Sequence, residues 1–236
     1  MKIIVLTISP YKEKDAIVSA IAENQLITFL ARGIKDPKSK NSAINNPLTI
    51  ADITLMDGDF KYPILKESKQ LFTPMRIDMG TKYLGTLLLM NEMMSHLFPE
   101  EDKPKMFKVL EEAVTELKRK DDWLMTLLLF MAHAMRVGGF ELEVNRCVVC
   151  MGKNRIVAFS FVDGGFICEK CATEETEKDL SKNQMILLRQ IFNARDFHLL
   201  DSGYNEKDAL VLLNKFAEFI EDAFGYHFKN MRLILN

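Results

Sequence analysis

Cys147-Val148-Val149-Cys150, then seventeen residues, then Cys168-Glu169-Lys170-Cys171: these are the only four cysteines in the chain, and their spacing governs how the rest is read. Two C-x2-C pairs at this separation form tight knuckles that meet over one tetrahedral ion. Four soft thiolates select Zn2+, or less often an iron-sulfur centre. With all four positions filled by protein, the ion is structural rather than catalytic.

The residues around the pairs suit a hairpin. Residues 155–162 are a β-rich run, Asp163-Gly164-Gly165 is a turn signal, and Phe166-Ile167 starts a return strand that carries the second knuckle back to the first. Gly152 allows a backbone N–H to approach a thiolate. A zinc ion with four thiolates keeps two net negative charges, which Arg146, Lys153, Arg155 and Lys170 offset against Asp163 and Glu169. Other uses of the cysteines fit less well. A disulfide pair needs an oxidising compartment, and no signal peptide is visible. A dithiol redox site needs a single pair at the head of a helix. A nucleobase deaminase needs H-x-E or C-x-E, yet neither the cysteines nor His96, His133, His198 and His227 are followed two residues on by Glu.

Upstream, residues 1–74 read as short strands with turn punctuation, at 2–8, 16–22, 26–31, 48–55, 60–65 and 70–73. Five or six such strands suit a small closed or partly open barrel better than a sandwich. Between two of them lies Arg32-Gly33-Ile34-Lys35-Asp36-Pro37-Lys38-Ser39-Lys40-Asn41, with four cationic side chains against one Asp. This composition makes a surface loop that a phosphate backbone can reach, and equally a loop that is simply solvated. Tyr11 and Phe29 are either stacking surfaces for unpaired bases or core.

After Asp78 the period changes to three- and four-residue steps, and the spacing predicts a helix over 79–97 that stops before Pro99. Pro104 opens a second helix through 118. Asp121 and Asp122 are placed to cap a third, with Leu124, Leu127, Leu128, Met131 and Met135 inward and Gly138-Gly139 at its end. Methionines at this spacing are core residues before they are an adaptable binding surface. Beyond the cysteines come an acidic run (Glu174, Glu175, Glu177, Asp179) and a capping box, Ser181 with Gln184, opening a helix through 192. Asn205 starts another, with Leu212, Leu213, Phe216, Phe219, Ile220 and Ala223 as its buried side and Gly225 as its stop. Residues 229–236 form a basic and apolar tail.

Composition bounds the function. A chain of 236 residues, 48% apolar, can bury one large core or two smaller ones, and its net charge of −2 argues against a highly basic polyelectrolyte binder while allowing a local basic patch. No apolar run approaches the roughly 20 residues that span a bilayer, so a soluble, cytoplasmic protein is expected. Walker-type loops, G-x-G-x-x-G, G-x-S-x-G and H-E-x-x-H are all missing, and Asp52, Asp57 and Asp59 form no recognisable acid/base pair, so no enzyme is expected.

The order of parts resembles the bacterial RecO family of recombination mediators over nearly the whole chain. The residues that carry the likeness are Pro10-Tyr11-Lys12-Glu13-Lys14-Asp15, Ala31-Arg32-Gly33 before the basic loop, and Gly138-Gly139-Phe140 ahead of the first cysteine pair. Phe159-Ser160, Gly164-Gly165-x2-Cys168-x2-Cys171, and Gly225, His227 and Arg232-Leu233 complete it. The resemblance implies an α+β multidomain protein: an N-terminal OB-fold β-barrel at 1–78, then an all-helical domain at 79–236 carrying a four-cysteine zinc hairpin at about 145–172. It implies a mediator that binds single- and double-stranded DNA without sequence preference and anneals complementary strands. With RecR, such a protein assists RecA on strands coated by single-strand-binding protein (SSB), whose acidic C-terminal tail is a partner, and it is nucleoid-associated. DNA contacts are expected at Arg32, Lys35, Lys38 and Lys40, with Lys12 and Lys14 on a neighbouring loop, and zinc ligands at Cys147, Cys150, Cys168 and Cys171. The competing readings are a zinc-stabilised protein-interaction adaptor that binds no nucleic acid, and a zinc hydrolase.

Overall fold

The computed structural model describes residues 1–56, 61–153, 155–176, 180–198 and 203–235. Asp57, Asp59, Phe60, Glu177, Asp179 and Asn236, each part of a feature read above, lie outside the described residues. The chain packs as two compact units, Met1–Asp121 with Lys229–Asn236, and Asp122–Phe228.

The first unit opens with a closed five-stranded barrel of β1 (Lys2–Pro10), β2 (Ala16–Ala22), β3 (Leu26–Ala31), β4 (Ile50–Met56) and β5 (Ile64–Phe72), in the order β1-β2-β3-β5-β4. β4 returns to β1, and the parallel pair Leu30 and Ile64 joins β3 to β5. β1 pairs with both β2 and β4, and a register shift between Val5 and Thr7 marks a bulge of the kind that bends a barrel strand. Small and branched side chains, among them Ile3, Val5, Ala16, Val18, Ala31 and Ile53, fill the interior around Phe29, with Ile34 and Ile44 fully buried from the β3–β4 connection. In place of separate strands at 60–65 and 70–73 there is one strand, β5, which starts only at Ile64 and leaves residues 61–63 in the connection before it. Its Lys66-Glu67-Ser68-Lys69 segment conceals this, because the backbone ladder to β4 (Thr54 with Glu67, Ile53 with Ser68, Asp52 with Lys69) needs no apolar side chain.

Two helices, α1 (Thr81–His96) and α2 (Phe107–Lys120), belong to the same unit as the barrel. The passage from strand to helix near residue 78 is thus not where the packing divides. Contacts from α2 explain why: Lys2 of β1 pairs with Glu111, Lys108 with Glu23 (3.0 Å), and Lys118 donates to the Thr73 carbonyl (2.6 Å). The tail joins this unit too, since a four-residue turn of helix, Arg232–Leu235, packs on α1, where a Cβ on Gly85 would meet Ile234 and Leu233 at 3.0 and 3.1 Å. Glu92 of α1, buried, accepts hydrogen bonds from the backbone N–H groups of Lys229 (2.8 Å) and Asn230 (3.0 Å) and from the Asn230 side chain (2.8 Å). Charge-assisted bonds of this kind tie the tail down.

In the second unit α3 (Trp123–Val137) is buried on nearly every side, and Met125, Met131 and Met135, like Met90, Met93 and Met94 of α1, are fully buried core residues. Of the two candidate caps only Asp122 serves α3, accepting from Met125 N at 3.1 Å. Asp121 closes α2 in the left-handed region (φ 58°) and pairs with Arg76 at 2.7 Å. The strands β6 (Glu143–Cys147), β7 (Ile156–Ser160) and β8 (Gly165–Cys168) form a sheet ordered β6-β8-β7. The capping box of α4 (Lys182–Asn193) is complete, and α5 (Glu206–Phe224) runs from the Asn205 cap to Gly225 in the left-handed region (φ 64°). Phe219 and Ala223, expected on the buried side of α5, are half-buried and exposed. Among the described residues no helix is long and apolar enough to cross a membrane.

His133 of α3 makes the second unit sensitive to acid. Its ring stacks on Phe197 (5.9 Å), and Nδ1 lies 2.9 Å from Nη1 of Arg136. A guanidinium only donates, so Nδ1 accepts and the imidazole is neutral. Burial first, and the Arg136 charge second, hold its pKa down at about 4, against about 6.5 in an unfolded chain. A depressed base takes up its proton in the unfolded state first, so its contribution is full above pH ~6.5 and is lost as pH falls towards 4. Discounted for the ring's partial exposure, the loss is about 1–2 kcal/mol. Urea unfolding at pH 7 and pH 4.5 is expected to show that difference, and His133→Gln should flatten it.

Candidate functional site: metal centre and nucleic-acid interface

The first knuckle begins where β6 ends at Cys147. Met151 N–H donates to the Cys147 carbonyl (2.8 Å) and Cys147 N–H donates to the Gly152 carbonyl (2.7 Å), with Met151 at a φ of 59°. Gly152 contributes through its missing side chain, because a Cβ there would stand 3.2 Å from the Cys150 sulfur. The second knuckle begins where β8 ends, with the N–H groups of Cys171 (3.0 Å) and Ala172 (2.9 Å) donating to the Cys168 carbonyl. Both strands belong to one sheet, so the two loops are delivered side by side.

The ligand atoms of all four cysteines lie within 4.8 Å of one another. Cys150 and Cys168 sulfurs are 3.7 Å apart, against the edge of about 3.8 Å in a tetrahedron with 2.3 Å metal–sulfur bonds. Burial pushes the Cys147 thiol up, but the backbone N–H groups of Cys150, Cys168 and Val149 outweigh it and set it at about 6. Cys171 is pushed up to about 12, first by its hydrogen bond to Cys150, then by burial and the remaining thiols. Four sulfurs at this range cannot all ionise by themselves, and a divalent cation among them removes that repulsion. The donor set therefore fits a metal ion, with no position left for water or substrate. Of the cations expected to offset the centre, Arg146 pairs with Glu143 (2.8 Å) and Arg155 with Glu169 (2.9 Å), while Lys153 and Lys170 are exposed.

On the barrel, the β1–β2 turn and the segment after β3 are locked together. Asp15 accepts from Gly33 N–H (2.9 Å), Lys35 N–H donates to the Lys14 carbonyl (3.1 Å), and Lys14 pairs with Asp36 (2.9 Å). The Lys14 ammonium first, and Lys38 N–H second, lower the Asp36 pKa. Gly33 turns the chain at a φ of 65°, Ile34 anchors it in the core, and Ser39 caps a 3-10 turn at Lys40–Ile44. The segment 32–41 is thus an ordered platform. Arg32, Lys38, Lys40, Lys12 and Lys14 are exposed on it and Lys35 is half-exposed, although Lys14 is already engaged by Asp36.

A cavity of about 230 Å3 beside this platform brings Tyr11 and Arg32 together with Lys61 and Tyr62 of the β4–β5 connection. Tyr11 is exposed, with Lys12 5.6 Å from its ring centre; Lys61 stands at the same distance from Tyr62. Phe29, the other candidate for stacking, is fully buried and belongs to the core. Lys61 and Tyr62 escaped the sequence reading because they fell inside an expected strand, 60–65. The adjacent Pro63, which cannot donate to a ladder, was the available signal.

Both regions of the chain have counterparts in known proteins. Models of two regions match: Recombination protein O N terminal over residues 1–70 and Recombination protein O C terminal over residues 82–219. The DNA repair protein RecO of Bacillus subtilis (strain 168) is 24% identical over 235 residues, covering 98% of this chain and 91% of that protein. That of Bacillus pumilus (strain SAFR-032) is 25% identical over 232 residues, 90% of each chain. That of Dehalococcoides mccartyi (strain ATCC BAA-2266 / KCTC 15142 / 195) is 25% identical over 183 residues, 76% of this chain and 72% of the relative.

Proposed function

The chain belongs to the Recombination protein O (RecO) family, whose role is in DNA repair and recombination, and from that membership we propose that it is a recombination mediator acting directly on DNA. The ordered basic platform beside the two-tyrosine cavity carries this reading. A mediator works on any sequence, so it needs contacts to sugar-phosphate and to base faces, not to base edges. Arg32, Lys35, Lys38 and Lys40, with Lys12 and Lys14, supply the first, and Tyr11 with Tyr62 supplies the second. Both leave the Watson–Crick edges free while positive charge screens two strands from each other, which is what annealing complementary strands requires.

Engagement of RecR, of the acidic tail of SSB, and through them of RecA, is proposed on family membership. The ion is Zn2+ held by Cys147, Cys150, Cys168 and Cys171, and it acts as a structural clamp. With a net charge of −2 on the chain, DNA affinity is expected to be modest and strongly dependent on salt. Fluorescence anisotropy of a labelled oligonucleotide across a salt series, with and without SSB, tests the proposal. A logarithm of affinity that falls linearly with the logarithm of salt supports it. Capture of a protein partner without any DNA affinity supports the adaptor instead.

A further inference from the structure

A groove of about 720 Å3 in the second unit is used by neither the thiol centre nor the barrel. One wall is the β7–β8 turn, the other is the last two turns of α5, and the segment after α3 forms its base. Its apolar surface is aromatic. Phe161 stacks on Phe219 (5.0 Å between ring centres) and Phe140 meets Phe219 edge-on (5.5 Å), each ring being only half-buried. Val162 at the tip of the turn is 98% exposed, an apolar side chain held in solvent at the mouth.

The rim is acidic. Glu141, Asp163, Glu218 and Asp222 all line the groove and all are exposed. The cation among the lining residues, Lys215, lies 3.8 Å from Glu218. Four carboxylates around an aromatic floor select for cationic side chains flanking apolar anchors, and they repel both an acidic peptide and a nucleic-acid backbone. We infer that this groove is a docking site for a basic, apolar segment of a partner protein. The inference does not rest on the DNA reading, because the groove is assembled entirely from the second unit and its charge is opposite to that of the barrel platform.

The test uses the full chain and three labelled peptides of equal length: one alternating Lys with Leu and Phe, one with Glu in place of Lys, and one with Ser in place of the apolar residues. Anisotropy is expected to rank the first at least about tenfold tighter than either of the others. Hydrogen exchange should slow at 139–142, 161–164 and 215–223 when it binds. Glu218→Lys with Asp222→Lys changes two exposed residues near a helix C-terminus, where cations are tolerated, and should reverse the preference between the Lys and Glu peptides. Equal binding of the Lys–apolar and Lys–Ser peptides, or tighter binding of the Glu peptide, overturns the proposal. So does protection confined to other segments, or a self-association that the double substitution abolishes, which would make a second copy the occupant. The peptide ranking is read on the unaltered protein and stands even if the substituted chain misfolds.

Discussion

Cys168→Ser is expected to release the bound ion, unfold the β6-β8-β7 module, and lower the stability of the second unit by at least about 3 kcal/mol. The size follows from the shortness of the sheet, which leans on α4 through Arg189 Nε donating to the Val144 carbonyl (2.8 Å) but has little strand pairing of its own. Its strands are five, five and four residues long, and the β6–β8 contact is a short parallel pairing broken by a register shift. Strands this short contribute little pairing energy, so an ion held by the four thiols would supply folding free energy directly. Cys168 is also buried, and a serine hydroxyl there neither ligates like a thiolate nor finds water. Elemental analysis should fall from one equivalent of zinc to near none. The thermal midpoint should drop by about 10 °C or more, with new proteolytic cleavage between residues 145 and 172. Val149→Ser, at an exposed position between two ligands, is the control and should change none of these. A Cys168→Ser protein that keeps its ion and its midpoint would rule out the metal clamp.

The second large effect is expected from replacing Arg32, Lys35 and Lys38 together by Ala. Each cation that neutralises a phosphate of a single strand contributes about 0.7 to the slope of log affinity against log salt, so the triple variant should flatten that slope by about 2. Near 0.1 M salt the same arithmetic gives a loss of affinity of about 100-fold, equal for every sequence tried. The fold should survive, because Ile34, Gly33 and Ser39 hold the platform through backbone and core contacts that the three side chains do not make. Tyr62→Ala acts differently: it should cost about 1–3 kcal/mol of binding with the slope unchanged, since stacking releases no counterions. Unaltered affinity in the triple variant would remove this platform as the contact.

Local chemistry was legible wherever one residue type answers one local demand. The C-x2-C pairs, the Ser181 and Gln184 capping box, the Asn205 cap and the Gly225 stop all stand where the pattern put them. Asp121 and Asp122 show the limit, since both suit a cap and only the path of the chain between α2 and α3 assigns one to each helix. Strand β5 was hidden because backbone pairing with β4 leaves no trace in its side chains. Phe29 and Tyr11 were equivalent as aromatics near a strand end, and became opposite once the barrel closed over one of them.

The four cysteines that come together, the number and type of most elements, and the basic composition of residues 32–41 could all be read from the chain alone, because they depend on spacing and side-chain chemistry over a few residues. Folding in three dimensions settled the rest: the tail is bound by Glu92 in the first unit, Lys61 and Tyr62 join Tyr11 and Arg32 around one cavity, and four separated carboxylates ring an aromatic groove. Each of these joins residues far apart in the chain, and such pairings are set by how strands and helices pack, a quantity that no local window contains.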